Sequence, residues 1–158
     1  MANTQAMCTS FMNELLTATH NFGTAPVRAA TTADTFKAAL YLTSATVNAS
    51  TTAYSSTGEV SGTNYTAGGV AVTNATAPAS TNTSATAGVA YWTPSASITY
   101  TNVTLSTAFD TVLIYNSTQS NKAVSVHTFG SQTITAGTFT LTMPSNTTST
   151  ALLRLATT

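Results

Sequence analysis

The spacing of apolar residues separates a helical start from a long region of strands. Met7, Phe11 and Leu15 follow one another at intervals of four residues, which keeps their side chains on one face of a helix. Pro26 lies just beyond this stripe and cannot continue a helix. The pattern therefore predicts one short N-terminal helix within residues 1–22.

From residue 34 onward, apolar residues recur at every second position. Phe36, Ala38 and Leu40 follow this period, which is typical of a half-buried strand. The uninterrupted apolar run at residues 112–115 predicts a strand that is buried on both faces or lies centrally in its sheet. The apolar positions change phase at Asn102, and such a change predicts a β-bulge.

Two long segments without regular apolar spacing interrupt these strands. Residues 43–68 consist mainly of Ser, Thr, Asn and Gly, so they predict a long loop that a few isolated Val and Tyr side chains attach to the core. Residues 74–87 contain no apolar residue larger than Ala and predict a surface loop. Towards the C-terminus, the pair Ala136-Gly137 between Ile134 and Phe139 predicts the turn of a hairpin.

The succession of short strands and turns predicts an all-β fold. Turns recur at intervals of roughly ten residues, as they do in antiparallel sandwiches. The 158 residues suit one domain. We therefore predict a single domain over residues 1–158, with the helix at residues 1–22 followed by an antiparallel β-sandwich, jelly-roll-like or immunoglobulin-like, over residues 34–158.

Charge is scarce in this chain. Only 5% of the residues are charged, and the formal net charge at pH 7 is zero, whereas a designed soluble surface carries roughly 25–35% charged residues. Because affinity for phosphate depends on Lys and Arg, nucleic acid is not expected as a partner. No segment approaches the roughly 18 apolar residues that a membrane helix needs, so no membrane partner is expected. The N-terminus lacks the basic start and apolar run of a secretory signal, which predicts synthesis in a cytosol.

The residues that could perform chemistry are few and scattered. His20 and His127 fall in different predicted elements, at a helix end and on a strand face, and Cys8 is the only cysteine. Neither a metal site nor a disulfide is expected from this set. No nucleophile elbow of the G-x-S-x-G kind occurs, and Asp34 is predicted to organise a turn. We therefore expect no enzyme activity and no cofactor.

A small set of apolar and aromatic residues forms the candidate interface. The helix stripe could pack against its own domain or against a neighbouring subunit. The aromatic residues could form a sugar-stacking platform, but in a chain poor in large apolar residues, filling the core is the stronger interpretation. Because adjacent residues of a strand point to opposite faces, one ring of the Tyr91-Trp92 pair is expected to be exposed or at an interface. The candidates are Phe11, Leu15, Tyr54, Tyr65, Tyr91 and Trp92.

Two blocks of sequence carry a family resemblance. They read ATTADTFKAALYLTSATVNASTTAYSSTGEVSGTNYTAGGVAVTN over residues 30–74 and LIYNSTQSNKAVSVHTFGSQTITAGTFTLTMPSN over residues 113–146. Both resemble small virion proteins of tailed bacteriophages, described as head decoration, cement or minor structural proteins. The pattern IYN-S-T-x-S-N-(K/R)-A-V is the most distinctive part. The blocks cover about half of the chain, and residues 75–100 match no pattern.

The resemblance implies a function at the surface of a phage head. The implied protein is β-rich, often a homotrimer, and binds the outside of a capsid lattice built by the major capsid protein. We expect it to cement adjacent capsomers in the virion after synthesis in the host cytoplasm, with the N-terminal helix or the segments 43–68 and 74–87 as contact elements. Two alternatives stay open: a tail, collar or head-fibre component, and a β-sandwich carbohydrate-binding module that uses Tyr91 or Trp92.

Overall fold

The computed structural model has an all-β, sandwich-like architecture of two antiparallel sheets, as the strand periodicity predicts. It describes residues 3–8, 11, 15, 19–20, 22, 33–74, 77–81 and 89–156. The strands are β1 (Ala6–Met7), β2 (Phe36–Leu42), β3 (Val70–Val72), β4 (Ala79–Ser80), β5 (Val89–Trp92), β6 (Ile98–Asn116), β7 (Lys122–Leu141) and β8 (Leu153–Ala156).

A larger sheet and a smaller sheet share the core. The larger sheet has the strand order β1-β7-β6-β2-β3, and the smaller sheet has the order β4-β5-β8. Trp92 of the small sheet packs edge-on against Phe22 with 4.7 Å between ring centroids, and Phe22 stacks on Phe36 of β2 at 4.5 Å. These aromatic contacts fill the space between the two sheets.

The N-terminal segment joins the larger sheet before it becomes helical. Ala6 and Met7 pair with Val126 and Ser125 of β7, so the predicted helix does not include Met7. The chain is helical at Phe11 and Leu15, and the rest of the predicted helix lies outside the described residues. Backbone pairing with β7 supplies hydrogen bonds that an isolated helix end lacks.

Strand β2 is more buried than its alternating sequence predicts. All residues from Ala38 to Tyr41 are buried, because β2 lies inside the sheet and is covered on both faces. The apolar run at residues 112–115 is likewise buried on both faces, as predicted. The predicted bulge is also present, since Asn102 has a φ of 51° and the register shifts between Tyr100 and Val103.

The predicted hairpin at residues 134–143 is wrong. Ala136 does adopt a left-handed φ of 46°, but Gly137 pairs with Val103 and the strand continues to Leu141. A residue with a left-handed backbone conformation occurs in β-bulges as well as in turns. The pair Ala136-Gly137 is therefore a bulge inside β7. The predicted loop at 74–87 also contains the short strand β4, which pairs with β5.

The long β6–β7 hairpin folds over on itself. The rings of Phe129 and Phe139 lie 5.1 Å apart, whereas ten residues of straight strand would separate them by about 33 Å. Phe109 contacts both rings, at 5.9 and 5.2 Å, and is fully buried. The register shifts on either side of Phe109 place the bend there, because bulges increase twist and bending.

The bend divides the hairpin into two arms. The proximal arm, residues 109–116 and 122–129, pairs with β1 and β2. The distal arm, residues 98–105 and 134–141, turns back so that the Tyr100 hydroxyl donates a hydrogen bond to the carbonyl of Ala38 in β2 at 2.8 Å. One hairpin therefore contributes to two layers of the core.

Candidate functional site

Glu59 organises the long segment 43–68. One carboxylate oxygen accepts hydrogen bonds from the Tyr65 hydroxyl at 2.7 Å and from the backbone N–H of Gly68 at 2.8 Å. The other oxygen accepts the Tyr54 hydroxyl at 2.6 Å. Because hydrogen bonds to a charged acceptor are stronger than neutral ones, this single carboxylate holds the segment together.

Stacked tyrosines attach this segment to the sheet. Tyr54 stacks on Tyr115 of β6 with 4.8 Å between ring centroids, and Tyr65 stacks on Tyr100 at 5.9 Å. The Tyr115 hydroxyl donates to the carbonyl of Gly68 at 2.8 Å, and the Tyr41 hydroxyl donates to the carbonyl of Ser55 at 2.6 Å. Each ring therefore buries apolar area while its hydroxyl keeps a partner.

Burial makes these tyrosines hard to ionise. It raises the pKa of Tyr41 and Tyr115 to about 12, from an ordinary value of 10.0. It also raises the pKa of Tyr54, Tyr65 and Tyr100, and the negative charge of Glu59 adds to the effect at all three. The five hydroxyls therefore act as neutral hydrogen-bond donors.

A second polar cluster lies at the end of β6. The buried Asn116 amide donates to the carboxylate of Asp34 at 2.8 Å and contacts the ring nitrogen Nδ1 of His20 at 3.0 Å. The Gln119 amide donates to the other oxygen of Asp34 at 3.2 Å. Asp34 therefore connects distant elements of the fold, which its predicted role in a local turn did not anticipate. No sequence signal joins residues that are 82 positions apart.

A cleft with a volume of about 280 Å³ lies beside β1, β7 and β8, and its lining includes Gln5, Ser125, His127 and Arg154. The ring of His127 lies 2.9 Å from the hydroxyl of Ser125. Burial lowers the pKa of His127 from 6.5 to about 4. The imidazole is therefore neutral at pH 7.

An apolar groove of about 130 Å³ lies between the small sheet and the N-terminal segment. Its lining includes Leu15, Tyr91 and Leu155. Leu155 is 44% exposed, and it is the most prominent apolar side chain on the described surface. Among the described residues, those that line the groove expose no polar atom to it.

The six predicted interface residues separate into three groups. Phe11 and Trp92 are buried, so in the isolated chain they are packing residues. Tyr54 and Tyr65 are half-buried and bind Glu59. Leu15 and Tyr91 are half-buried at the apolar groove. Because Trp92 is 3% exposed, the Tyr91-Trp92 pair presents one ring to solvent instead of a two-ring stacking platform.

The hairpin carries an uncharged surface that is rich in hydroxyl groups. Residues 98–109 and 123–153 contain no Asp, Glu, Lys or Arg. Their outward side chains are mostly hydroxyls, which both donate and accept hydrogen bonds. We call this region the threonine surface. Its exposed members include Thr99, Thr101, Thr107, Thr133, Thr135, Thr138 and Thr140.

Within the described ranges, no three His, Cys, Asp or Glu side chains come close enough to hold a metal ion. No helix in the same part of the chain is long and apolar enough to span a membrane.

Comparison with known proteins adds no relative. No family model, no curated protein and no solved structure matches this chain.

Proposed function

We propose that this chain is a structural protein of a tailed-phage virion that binds the outer surface of the capsid and cements adjacent capsomers. The proposal combines the sequence resemblance of residues 30–74 and 113–146 with the character of the folded surface. The partner would be the major capsid protein.

The uncharged threonine surface is the observation that carries this proposal. A decoration protein occupies many equivalent sites close together, and a net charge on each copy would accumulate into repulsion across the lattice. Hydroxyl and small apolar side chains form an interface without leaving an unpaired charge buried. A neutral subunit with a hydroxyl-rich face therefore suits dense repetition.

Rigid attachment of the segment 43–68 supports the same role. The carboxylate of Glu59 and the stacked Tyr54 and Tyr65 hold this polar segment against the sheet. A pre-ordered segment loses less conformational entropy when it binds than a flexible loop does. It is thus suited to contact a capsomer.

Particle stability tests the proposal directly. Phage heads that lack this protein should lose integrity at a lower temperature or at a milder osmotic shock than complete heads, and adding back purified protein should restore resistance. Heads of equal stability with and without the protein would contradict cementing. Because few ion pairs are available, moderate NaCl should leave the protein bound.

Copy number separates the head from the tail. A capsid decoration protein should be present in hundreds of copies per particle, whereas a tail, collar or fibre component should be present in about a dozen, because the two structures differ in their number of equivalent positions. Quantitative mass spectrometry of purified virions, together with an image that locates the chain, distinguishes these assignments.

A further inference from the structure

The fold covers the edges of its long strands unequally. Beside β2, the segment 58–60 provides an additional partner: the Leu42 N–H donates to the carbonyl of Gly58 at 2.9 Å, and the Val60 N–H donates to that of Leu40 at 3.0 Å. In the distal arm, the outer edge of β6 has such a partner, and the outer edge of β7 has none among the described residues.

The distal part of β6 is covered on its outer side. The Thr104 N–H donates to the carbonyl of Thr63 at 3.1 Å, and the Asn64 amide donates to the carbonyl of Asn102 at 2.8 Å. The segment 43–68 therefore protects both β2 and the distal β6 strand from pairing with another chain.

The outer edge of distal β7 has no such cover. Among the described residues, no strand pairs with the side of residues 134–141 that faces away from β6. β1 pairs with β7 only at Val126 and Ser125. Every second residue of this segment directs its backbone N–H and C=O away from β6. We call residues 134–141 the open edge.

The open edge lacks the usual protection against pairing. Natural edge strands carry Lys, Pro or inward-pointing charges that prevent contact with another strand. The open edge contains no charged residue and no proline. Its bulge at Ala136 disturbs only the first part, and the stretch from Phe139 to Leu141 pairs with β6 in regular register.

We propose that the open edge of β7 pairs antiparallel with the open edge of a second copy of this chain. A two-fold axis at Thr140 would place Phe139 opposite Leu141 of the other copy and Thr140 opposite its own equivalent. Cross-strand pairs of this kind stabilise a sheet. Phe139 and Leu141 are half-buried, so pairing would cover their remaining exposed area.

The chemistry of the edge favours a copy of itself over a charged partner. An uncharged edge meets its own copy without like-charge repulsion and offers nothing to attract a strongly charged strand. The pairing is isologous, so it closes at two copies. It differs from the homotrimer that the family resemblance implies, and it does not depend on the virion assignment.

Charge substitutions at the two-fold axis test this pairing. Sedimentation equilibrium over a wide concentration range should show the wild-type chain converting from a 16.1 kDa monomer to a dimer of twice that mass. Thr140→Lys and Thr140→Glu should each remain monomeric, because two like charges face each other across the axis. An equimolar mixture of the two variants should form the dimer again.

Controls separate this result from misfolding and from other interfaces. Thr57→Lys places the same charge on an exposed residue of the segment 43–68 and should leave dimerisation unchanged. Far-ultraviolet circular dichroism should be the same for all variants. A wild-type monomer at every concentration, a trimer, or an undiminished Thr140→Lys dimer would each overturn the proposal. A wild-type chain that stays monomeric but loses capsid binding in the Thr140→Lys variant would also overturn the proposal. The edge would then pair with a capsid strand.

Discussion

The hydroxyl of Tyr65 lies 2.7 Å from a carboxylate oxygen of Glu59 and donates a hydrogen bond to it. The same hydroxyl accepts a hydrogen bond from the backbone N–H of Leu40 at 3.0 Å. Tyr65 thus connects the segment 43–68 to the edge of β2. This side-chain pair is one of the contacts that fix where a segment with little apolar content rests on the sheet.

Removing either partner of this pair should destabilise the protein. We expect Tyr65→Phe to lower the free energy of unfolding by about 1.5–3 kcal/mol, the range for hydrogen bonds to charged groups. Glu59→Ala should cost more, because it leaves Tyr54, Tyr65 and the Gly68 N–H without their acceptor. Urea unfolding measures both effects.

A matched tyrosine provides the control for this experiment. Tyr91 is half-buried at the apolar groove, and Tyr91→Phe should change the stability by less than about 0.5 kcal/mol. In a double-mutant cycle, Tyr65→Phe should cost less once Glu59 is Ala, because only the hydrogen bond from the Leu40 N–H then remains to be lost. Additive losses would show that the two side chains do not act together.

Alkaline pH should weaken the fold through the buried tyrosines. Their pKa values in the folded chain are raised, to about 12 for Tyr41 and Tyr115, above the ordinary value of 10.0. This stabilisation is complete below pH 10 and is lost as the pH rises from 10 towards 12, because the unfolded chain ionises first. The loss is at most about 1.4 kcal/mol per pH unit for each tyrosine.

Absorbance at the tyrosinate band, together with urea unfolding at each pH, monitors this transition. Tyrosine ionisation should coincide with loss of the β-sheet signal in circular dichroism. Gradual ionisation near pH 10 with the sheet intact would contradict the burial of these hydroxyls.

Acid should weaken the fold at His127. Its pKa is lowered to about 4 in the folded chain from an ordinary 6.5. The neutral ring therefore contributes stability that is complete above pH 6.5 and is lost as the pH falls towards 4, because the unfolded chain binds the proton first. His127→Leu should flatten the dependence of stability on pH in this window.

The slope of the unfolding free energy against pH isolates the contribution of His127. Every other titratable group is present in both proteins, so its contribution cancels in the difference between wild type and His127→Leu. Equal slopes for the two proteins would indicate that His127 is solvated.

Glycine is required at position 69 but not at position 130. Gly69 has a φ of 71°, and an added Cβ would overlap the carbonyl oxygen of Ala38 in β2. Gly69→Ala should therefore lower stability by at least about 2 kcal/mol, through overpacking and backbone strain. At Gly130 an added Cβ would meet no atom within 4 Å, so Gly130→Ala should stay within about 0.5 kcal/mol of wild type. Thermal unfolding of both variants provides the comparison.

The local elements of the fold were largely predictable. The apolar run at residues 112–115 predicted a doubly buried or central strand, and the change of phase at Asn102 predicted a bulge; both are present. These features depend on neighbouring residues only. The pair Ala136-Gly137 misled the prediction because a turn and a bulge use the same backbone conformation, and the partner strand decides between them.

The candidate site was harder to predict from the sequence than the local elements were. Trp92 and Phe11 were candidates for an interface because large aromatic residues are common in both interfaces and cores. Their burial depends on how the small sheet meets β2. The pairing of Asp34 with Asn116 gave no signal, because hydrogen bonds between residues 82 positions apart leave no local pattern.

By itself, the sequence determined an all-β chain with a nearly uncharged surface, because side-chain period and composition are local properties. Only the tertiary structure decided that the β6–β7 hairpin bends at Phe109 and that the edge of β7 stays open. It also decided that Glu59 accepts hydrogen bonds from Tyr54, Tyr65 and Gly68. Each of these depends on contacts between residues far apart in the chain. Such contacts depend on how the whole core packs, which no local pattern of residues specifies.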